Sequence, residues 1–277
     1  MHHILRGKAG QYVLSVFAIT LVLNSILYAT GGYASSGAMV LLTAQMFIPG
    51  LAALIFIREE GKSPRDYGLR FGGLRYYLLA YVVVLGTHLL HSLVAAGAGL
   101  GELLPPAEGF EKIAPGFEIS TWVILLLIFV AAPIQNLVFG LGEEFGWRGY
   151  LLEKMRGAGL TRAILIIGTI WGVWHAPIIL MGHNFPEDPY LGAVFMTLTC
   201  IPLGAIFTWL RLKSDSAVVA GFAHGTFNAT LFLGGIFHPT SGLLWTNPMG
   251  PTGLLVFALV ATSLFRFFPV DFAKDEA

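Results

Sequence analysis

Residues 121–148 of the chain read TWVILLLIFVAAPIQNLVFGLGEEFGWR. The stretch from 121 to 142 carries no charged residue. Because a bilayer core needs roughly 20 mostly apolar residues per helix, this run predicts a membrane-spanning helix. Two adjacent carboxylates, Glu143 and Glu144, follow it, and Arg148 lies one helical turn later. A carboxylate at membrane depth costs roughly 2.5–3.5 kcal/mol, so the pair requires a specific role.

The composition of the whole chain is that of a membrane protein. Of its 277 residues, 56% are hydrophobic and 12% are charged, whereas soluble domains carry about 25% charged residues. The net charge is zero, so we expect no nucleic acid partner. A single cysteine, Cys200, excludes an intrachain disulfide. We therefore predict one transmembrane domain over residues 1–277, with the lipid bilayer as its surroundings.

Further apolar runs accompany the first one. Together they predict an all-α polytopic membrane protein, a bundle of eight transmembrane helices. The predicted spans cover about 11–30, 37–57, 76–99, 121–142, 163–181, 191–210, 216–237 and 251–268. If span four continues through Tyr150 and Leu152, Glu143 is drawn towards the membrane interior.

The basic residues predict the orientation of the bundle. With both termini in the cytoplasm, fifteen Lys and Arg residues lie on the inner side and Lys112 alone lies on the outer side. Because cytoplasmic loops carry an excess of Lys and Arg, we predict cytoplasmic N- and C-termini. On this orientation we also expect the polar site to open inward. The protein is predicted to reside in the cell membrane of a prokaryote or the endoplasmic reticulum of a eukaryote.

The two glutamates of the first stretch are predicted to have different partners. Glu144 and Arg148 are four residues apart with the acid first, the favourable order for an ion pair on a helix. Glu143 lies about 100° away around the helix and faces elsewhere. We predict a structural ion pair for Glu144 and a free carboxylate for Glu143.

Two histidines lie within later spans. His175 follows Trp171 by four residues, and His224 precedes Asn228 by four, so each pair shares a helix face. A lone histidine on an apolar face is usually a core residue with a hydrogen-bond partner. Two histidines and an amide at similar depth on separate spans would each need such a partner in lipid. We therefore predict that these residues converge on the free glutamate.

Other polar features argue against familiar intramembrane protease mechanisms. The chain has no His-Glu-x-x-His motif, the usual signature of helical zinc proteases. No aspartate lies within a predicted span, which excludes a paired-aspartate mechanism. Ser35 and Ser36 lie at an outer loop edge with no histidine clearly at their depth. His88 and His91, three apart in span three, are predicted to make interhelical hydrogen bonds.

The remaining residues permit two ways of hydrolysing a peptide bond. In the first, Glu143 is a general base that activates water with help from His175. His224 and Asn228 then donate hydrogen bonds to the developing oxyanion. In the second, Glu143, His175 and His224 are zinc ligands, with water in the open fourth position. The residue types suit both, so the predicted cofactor is zinc or none.

These motifs resemble those of a known family, the type II CAAX prenyl proteases, also called the CPBP or Abi family of intramembrane endopeptidases. The matching elements, within about 143–228, are Glu143-Glu144-x-x-x-Arg148, Trp171-x-x-x-His175 and His224-x-x-x-Asn228. The resemblance implies that the first glutamate activates water and that His175 assists it. It implies oxyanion stabilisation by His224 and Asn228, with the second glutamate and the arginine in support. The family usually has Phe where this chain has Trp171, so the indole is expected to reshape the pocket or add a donor.

The resemblance also implies a function. It predicts an endopeptidase whose partner is a lipidated (CAAX-type) or membrane-proximal peptide. Two alternatives from other classes stay open: a proton- or ion-coupled transporter, and a non-catalytic immunity or scaffold protein of the same fold. The transporter predicts polar residues that reach both membrane faces, because Glu and His chains also relay protons.

Overall fold

The structure is a computed structural model that describes residues 7–113, 115–116, 120–230 and 236–272. These residues are almost entirely helical. In chain order the helices are α1 (Lys8–Ala29), α2 (Ala38–Glu59), α3 (Leu74–Gly97), α4 (Pro106–Ile113), α5 (Thr121–Leu126), α6 (Ala132–Glu144), α7 (Leu152–Lys154), α8 (Leu160–Leu180), α9 (Pro189–Ser214), α10 (Ala217–Ala229), α11 (Leu243–Thr246) and α12 (Pro251–Phe267).

Smaller elements link these helices. The described residues include three short 3₁₀ turns, at Gly32–Ala34, Pro64–Tyr67 and Arg156–Ala158. Two short strands, β1 (Gly101–Leu103) and β2 (Phe237–Pro239), pair antiparallel and were not predicted. They tie the loop after α3 to the loop before α11, because β1 opposes β2 residue by residue.

Seven helical segments of the described residues are long and apolar enough to cross a membrane. They are Lys8–Ala29, Ala38–Glu59, Leu74–Gly97, Thr121–Lys154, Leu160–Leu180, Pro189–Ser214 and Leu243–Phe267. The all-α polytopic class is therefore confirmed. The count of eight stays a prediction, because α10 covers only 13 residues and the predicted span 216–237 runs into residues 231–235, which lie outside the described part.

The fourth segment differs from the predicted span. It extends past position 142 to Lys154, because π-helical stretches at Leu127–Ala131 and Phe145–Leu151 join α5, α6 and α7 into one run. Glu143 therefore lies inside the run, roughly 16 Å from its end at about 1.5 Å per residue. Single-turn π-helical segments occur often at functional sites.

Small residues bring α6 and α10 into close contact. A Cβ atom on Gly140 would lie 2.3 Å from the carbonyl oxygen of Gly221. Such positions let the backbones of membrane helices approach without side chains between them. Since α6 carries Glu144 and α10 carries His224, this contact brings the carboxylate and the imidazole together.

The histidines of α3 lie apart from that contact. His88 Nδ1 is 2.9 Å from the Thr230 hydroxyl, and His91 Nε2 is 3.1 Å from the Thr252 hydroxyl. Both histidines are buried. The predicted interhelical hydrogen bonds are thus confirmed, linking α3 to the end of α10 and to α12.

One end of the bundle is cross-linked by charged and phenolic side chains. We call it the basic end; it contains Gly7 and Phe272, the first and last described residues, together with the α2–α3, α7–α8 and α9–α10 loops. Glu60 is its centre: it accepts hydrogen bonds from Lys154 at 2.6 Å, from Tyr67 at 2.6 Å and from Tyr150 at 2.9 Å. Nearby, Arg211 bonds to Glu153 at 3.1 Å. These contacts hold four neighbouring segments together.

Candidate active site

A cavity of about 660 Å³ lies among α2, α6, α8, α9 and α10. Its walls include Glu143, His175, His224 and Asn228, and Trp171 lies between them. The four side chains predicted to be catalytic, which come from three separate helices, therefore share one cavity. A concave site lined by apolar groups with a few convergent polar ones is the usual form of a ligand site.

Glu143 is almost wholly buried, with 2% of its surface exposed. Its Oε2 atom accepts a hydrogen bond from the Trp171 indole Nε1–H at 2.7 Å. Hydrogen bonds to a carboxylate are short and strong, so this bond fixes the orientation of the carboxylate in the cavity wall. The phenylalanine usual at this family position has no N–H, and the predicted additional donor is therefore present.

Glu144 faces away from the cavity and binds two partners. Arg148 Nη1 donates to its Oε1 at 2.9 Å, as the four-residue spacing predicted. His224 Nδ1 is 3.0 Å from the same oxygen, a contact that the sequence analysis missed. All three side chains are at least 95% buried. Glu144 thus connects the ion pair to a residue of the cavity.

Arg148 occupies a space that the surrounding helices leave for it. Its guanidinium lies 4.5 Å from the centre of the Trp171 ring, within cation–π range. A Cβ atom on Gly204 would lie 2.2 Å from Nη2, so α9 admits the arginine only because this residue has no side chain. The arginine therefore supports both the indole and the second glutamate.

The hydrogen bonds of the two histidines determine which ring nitrogen carries a proton. His175 Nδ1 is 2.8 Å from the Trp171 carbonyl oxygen, which can only accept, so Nδ1 is the donor. His224 Nδ1 likewise donates to the Glu144 carboxylate. In each ring Nε2 is then left for another partner, as a lone pair or as an N–H. Both rings lie against Trp171, at centroid distances of 5.7 and 5.4 Å.

Asn228 lies one turn beyond His224 on α10. Its side chain is exposed and lines the cavity, whereas His224 is 4% exposed. The amide can donate and accept, so an oxygen atom in the cavity has an amide and an imidazole within one helix turn.

The cavity opens at the end of the bundle opposite the basic end. We call it the cavity end; it contains the α1–α2 and α8–α9 loops. The lining reaches Tyr33 and Ser36 in the first loop and His183 and Asn184 in the second. The two loops touch, since the Tyr33 and His183 rings stack at 5.7 Å. The prediction that the site opens inward stays a prediction; among the described residues, the cavity lining reaches these two loops and none of the loops of the basic end.

The loop residues of the cavity end were not predicted to have a role. Ser35 and Ser36 were predicted to lie at an outer loop edge with no histidine clearly at their depth, and His183 belongs to the α8–α9 loop. All three line the same cavity as Glu143. Burial lowers the pKa of the His183 imidazole. Nothing in the sequence pairs these loops, because 147 residues separate Ser36 from His183; a spacing of that kind carries no periodicity.

A zinc site of two histidines and one carboxylate was one of the two sequence alternatives. Within the described ranges, no group of three or more His, Cys, Asp or Glu side chains is arranged to hold a metal ion. The arrangement does not form a ready ligand set, so we derive no chemical step through a metal.

Two comparisons with known proteins bear on the site. Residues 118–230 match the family model described as type II CAAX prenyl endopeptidase Rce1-like. The chain is also similar to CAAX prenyl protease 2 of Methanococcus maripaludis, at 26% identity over 236 residues, which covers 75% of this chain and 78% of that protein. Residues 118–230, which match the family model, contain every cavity residue discussed above except those of the α1–α2 loop and α2. The family resemblance predicted from the motifs is thereby confirmed.

Proposed function

We propose that this chain, which belongs to the Rce1-like type II CAAX prenyl endopeptidases and is a CAAX-type protease, hydrolyses a lipidated or membrane-associated peptide with water activated by Glu143. The observation that supports the mechanism is the position of Glu143 in the cavity wall, with His175, His224 and Asn228 around the same space. The chain is an integral multi-pass membrane protein, so its substrate is expected to be held at or in the bilayer.

The proposed reaction begins with a water molecule between Glu143 and the scissile carbonyl. Glu143 removes a proton from this water, and the oxygen forms a bond to the carbonyl carbon. The carbonyl π electrons move onto oxygen, which becomes an oxyanion. The proton on Glu143 then passes to the leaving nitrogen as the C–N bond breaks, which regenerates the carboxylate. Trp171 keeps the carboxylate in place through its 2.7 Å hydrogen bond.

The oxyanion needs donors, and His224 and Asn228 are the proposed ones. His224 can donate from Nε2 only when Nδ1 is also protonated, that is, as an imidazolium. The Glu144 carboxylate, 3.0 Å from Nδ1, stabilises that positive charge. Donors held in place before the reaction are worth about 10²–10³-fold in rate. His175, on the other wall of the cavity, is proposed to hold the water for Glu143.

The direct test uses purified protein, a farnesylated CAAX peptide and a panel of membrane peptides, with products identified by mass spectrometry. We expect cleavage of at least one peptide by the wild type and none above background by Glu143→Gln. Full cleavage by the variant would rule out the proposed mechanism. Metal analysis of the purified protein, with activity measured before and after chelation, determines whether zinc takes part.

A further inference from the structure

We propose that Gln45, on α2, is a substrate-binding residue of this site, and that its side-chain amide pairs with a backbone peptide group of the substrate beside the scissile bond. The inference rests on the proposed function for the reaction, whereas the position of Gln45 comes from the structure alone. Gln45 lies outside residues 118–230, so it is not part of the region that matches the family model. Four observations support the proposal.

The first observation is the place of Gln45 in the cavity. It lines the same space as Glu143 and His175. It belongs to α2, whereas the four proposed catalytic residues belong to α6, α8 and α10. Among the described residues, α2 contributes six to the lining, and Gln45 is the one that carries an amide. The other five are Ala38, Met39, Leu42, Thr43 and Met46.

The second observation is the height of Gln45 along the bundle. A Cβ atom on Gly142 would lie 2.7 Å from the carbonyl oxygen of Met46, so α2 and α6 are in backbone contact at this point. Gln45 directly precedes Met46, and Glu143 directly follows Gly142. At about 1.5 Å per residue, Gln45 and Glu143 therefore differ in height by only about 3 Å. A substrate group bound by Gln45 thus lies at the height of the bond that Glu143 is proposed to cleave.

The third observation is that the Gln45 side chain is buried without a hydrogen-bond partner among the described residues. It is 1% exposed, close to the 2% of Glu143. Neither its Oε1 nor its Nε2 atom has a partner there. About 90% or more of buried polar groups in folded proteins are hydrogen-bonded, because an unpaired buried amide is costly. A glutamine that served only to join helices would bond to a neighbouring helix. The amide is therefore available to a ligand in the cavity.

The fourth observation is the chemistry of the amide among its neighbours. The cavity-lining indole of Trp174 already donates to Thr20, and that of Trp171 donates to Glu143. The Gln45 amide, by contrast, has both donors and its acceptor free. A peptide group offers one N–H donor and one C=O acceptor, so a side-chain amide can bond to both. The backbone of a peptide substrate is therefore the ligand that Gln45 fits best.

Stability without substrate is the first test. Gln45→Met removes the amide and keeps an unbranched side chain of similar length. Because no hydrogen bond is lost, we expect an unfolding temperature in detergent equal to or above that of the wild type. Asn24→Leu on α1 is the matched control. Its amide is also buried without a partner among the described residues, but it is not part of the cavity lining. A lower unfolding temperature for Gln45→Met would show that the glutamine supports the fold, and would overturn the proposal.

Binding without cleavage is the second test. The dissociation constant of a fluorescent farnesylated CAAX peptide is measured by anisotropy on the Glu143→Gln protein. Adding Gln45→Met should raise it about tenfold, because the complex loses its hydrogen bonds to the amide. Adding Asn24→Leu should leave it unchanged. Unchanged affinity on adding Gln45→Met, an equal loss on adding Asn24→Leu, or no binding by any of these proteins would overturn the inference.

The proposed hydrolysis and this inference fail in different ways. Full cleavage by Glu143→Gln would count against the mechanism alone, and Gln45→Met would then be judged by the same rise in KM, with kcat little changed. Removal of an interaction made equally in the bound substrate and in the transition state raises KM without lowering kcat.

The last experiment locates the contact on the substrate. Replacing one backbone N–H beside the scissile bond with an ester oxygen removes the donor to the Gln45 carbonyl oxygen. At the position that Gln45 binds, the ester should weaken binding severalfold in the Glu143→Gln protein and no further once Gln45→Met is also present, because the effects of two bonded groups are not additive. Equal losses in both proteins at every position beside the scissile bond would show that Gln45 does not bind the substrate backbone.

Discussion

The two ends of the helix bundle are built in opposite ways. At the basic end, charged and phenolic side chains bind across segments, as in the four-residue group around Glu60. At the cavity end, a ring stack between Tyr33 and His183 joins the loops, and the space between the helices stays open. The first arrangement holds the helices in register; the second leaves a cavity that the loop residues line.

The buried chain of Arg148, Glu144 and His224 lies between these regions. Its ion pair between Glu144 and Arg148 is buried, like the contacts of the basic end, whereas its imidazole, that of His224, lines the cavity. This comparison predicts three kinds of variant: those in the cavity lose activity and keep stability, those at the basic end lose stability and keep activity, and those in the buried chain lose both.

The largest expected effect is on activity in the cavity. Glu143→Gln should reduce kcat by about 10²–10⁴-fold, because an amide cannot take a proton from water. The amide oxygen still accepts from Trp171, so thermal unfolding in detergent should change little. Cleavage assays and unfolding curves on the same preparations check both statements. A large loss of stability would show that this carboxylate supports the fold as well as the reaction.

The second effect concerns the buried chain. Glu144→Gln leaves Arg148 as a buried cation without its counter-ion, and breaking a buried pair costs about 3–5 kcal/mol. Activity should also fall, because His224 loses the charge beside Nδ1. The matched control is the double variant Glu144→Leu with Arg148→Met, which should recover part of the stability without recovering cleavage. Recovery of both would mean that the ion pair has no part in positioning His224.

The third effect is smaller and confined to the indole N–H. Trp171→Phe removes the donor to Glu143 and keeps most of the ring, so we expect roughly a tenfold fall in kcat, equivalent to about 1.4 kcal/mol. Trp174→Phe is the matched control, because its N–H bonds to Thr20 at 2.8 Å and not to the glutamate. Equal losses of kcat in the two variants would argue against a specific role for the Trp171 donor.

The smallest expected effect is on the pH dependence of stability at the basic end. Burial by itself raises the pKa of the Glu60 carboxyl, but hydrogen bonds from Lys154 and two tyrosines outweigh burial and hold the pKa below its ordinary value. A lowered folded-state pKa means that Glu60 stabilises the fold above its unfolded-state pKa. That contribution is lost as the pH falls through the folded-state pKa.

Glu60→Gln should therefore lower the unfolding temperature at neutral pH and flatten its decline on acidification. The neighbouring Glu59→Gln serves as control, because its partner Lys8 is exposed and such surface pairs contribute about 0–1 kcal/mol. Catalytic rates at neutral pH should be alike in both variants. A change in cleavage by Glu60→Gln alone would break the separation between the two ends.

The sequence best predicted the features that depend on residues within a single helix. Runs of apolar residues predicted the spans, and the four-residue spacing of Glu144 and Arg148 predicted their ion pair. It was less informative where contacts join distant helices. The contact between His224 and Glu144 spans 80 positions, and the pairing of the α1–α2 and α8–α9 loops spans more. No local pattern encodes either contact.

The course of the cavity between the helices was not predicted by the sequence analysis. The sequence analysis predicted similar depths for His175 and His224, but depth does not say towards which end a space between helices extends. That depends on close packing, such as the contact between Gly140 and Gly221 and the space that Gly204 leaves for Arg148. It also depends on which end is filled by side chains.

By itself, the sequence determined that this is an all-α membrane protein with motifs like those of the type II CAAX prenyl proteases, because hydropathy and helical spacing are properties of single segments. The tertiary structure alone decided that Glu143 accepts a hydrogen bond from Trp171, that Glu144 binds both Arg148 and His224, and that the cavity lining reaches the α1–α2 and α8–α9 loops. Those features lie at contacts between helices, and the geometry of each contact is fixed by packing among residues far apart in the chain.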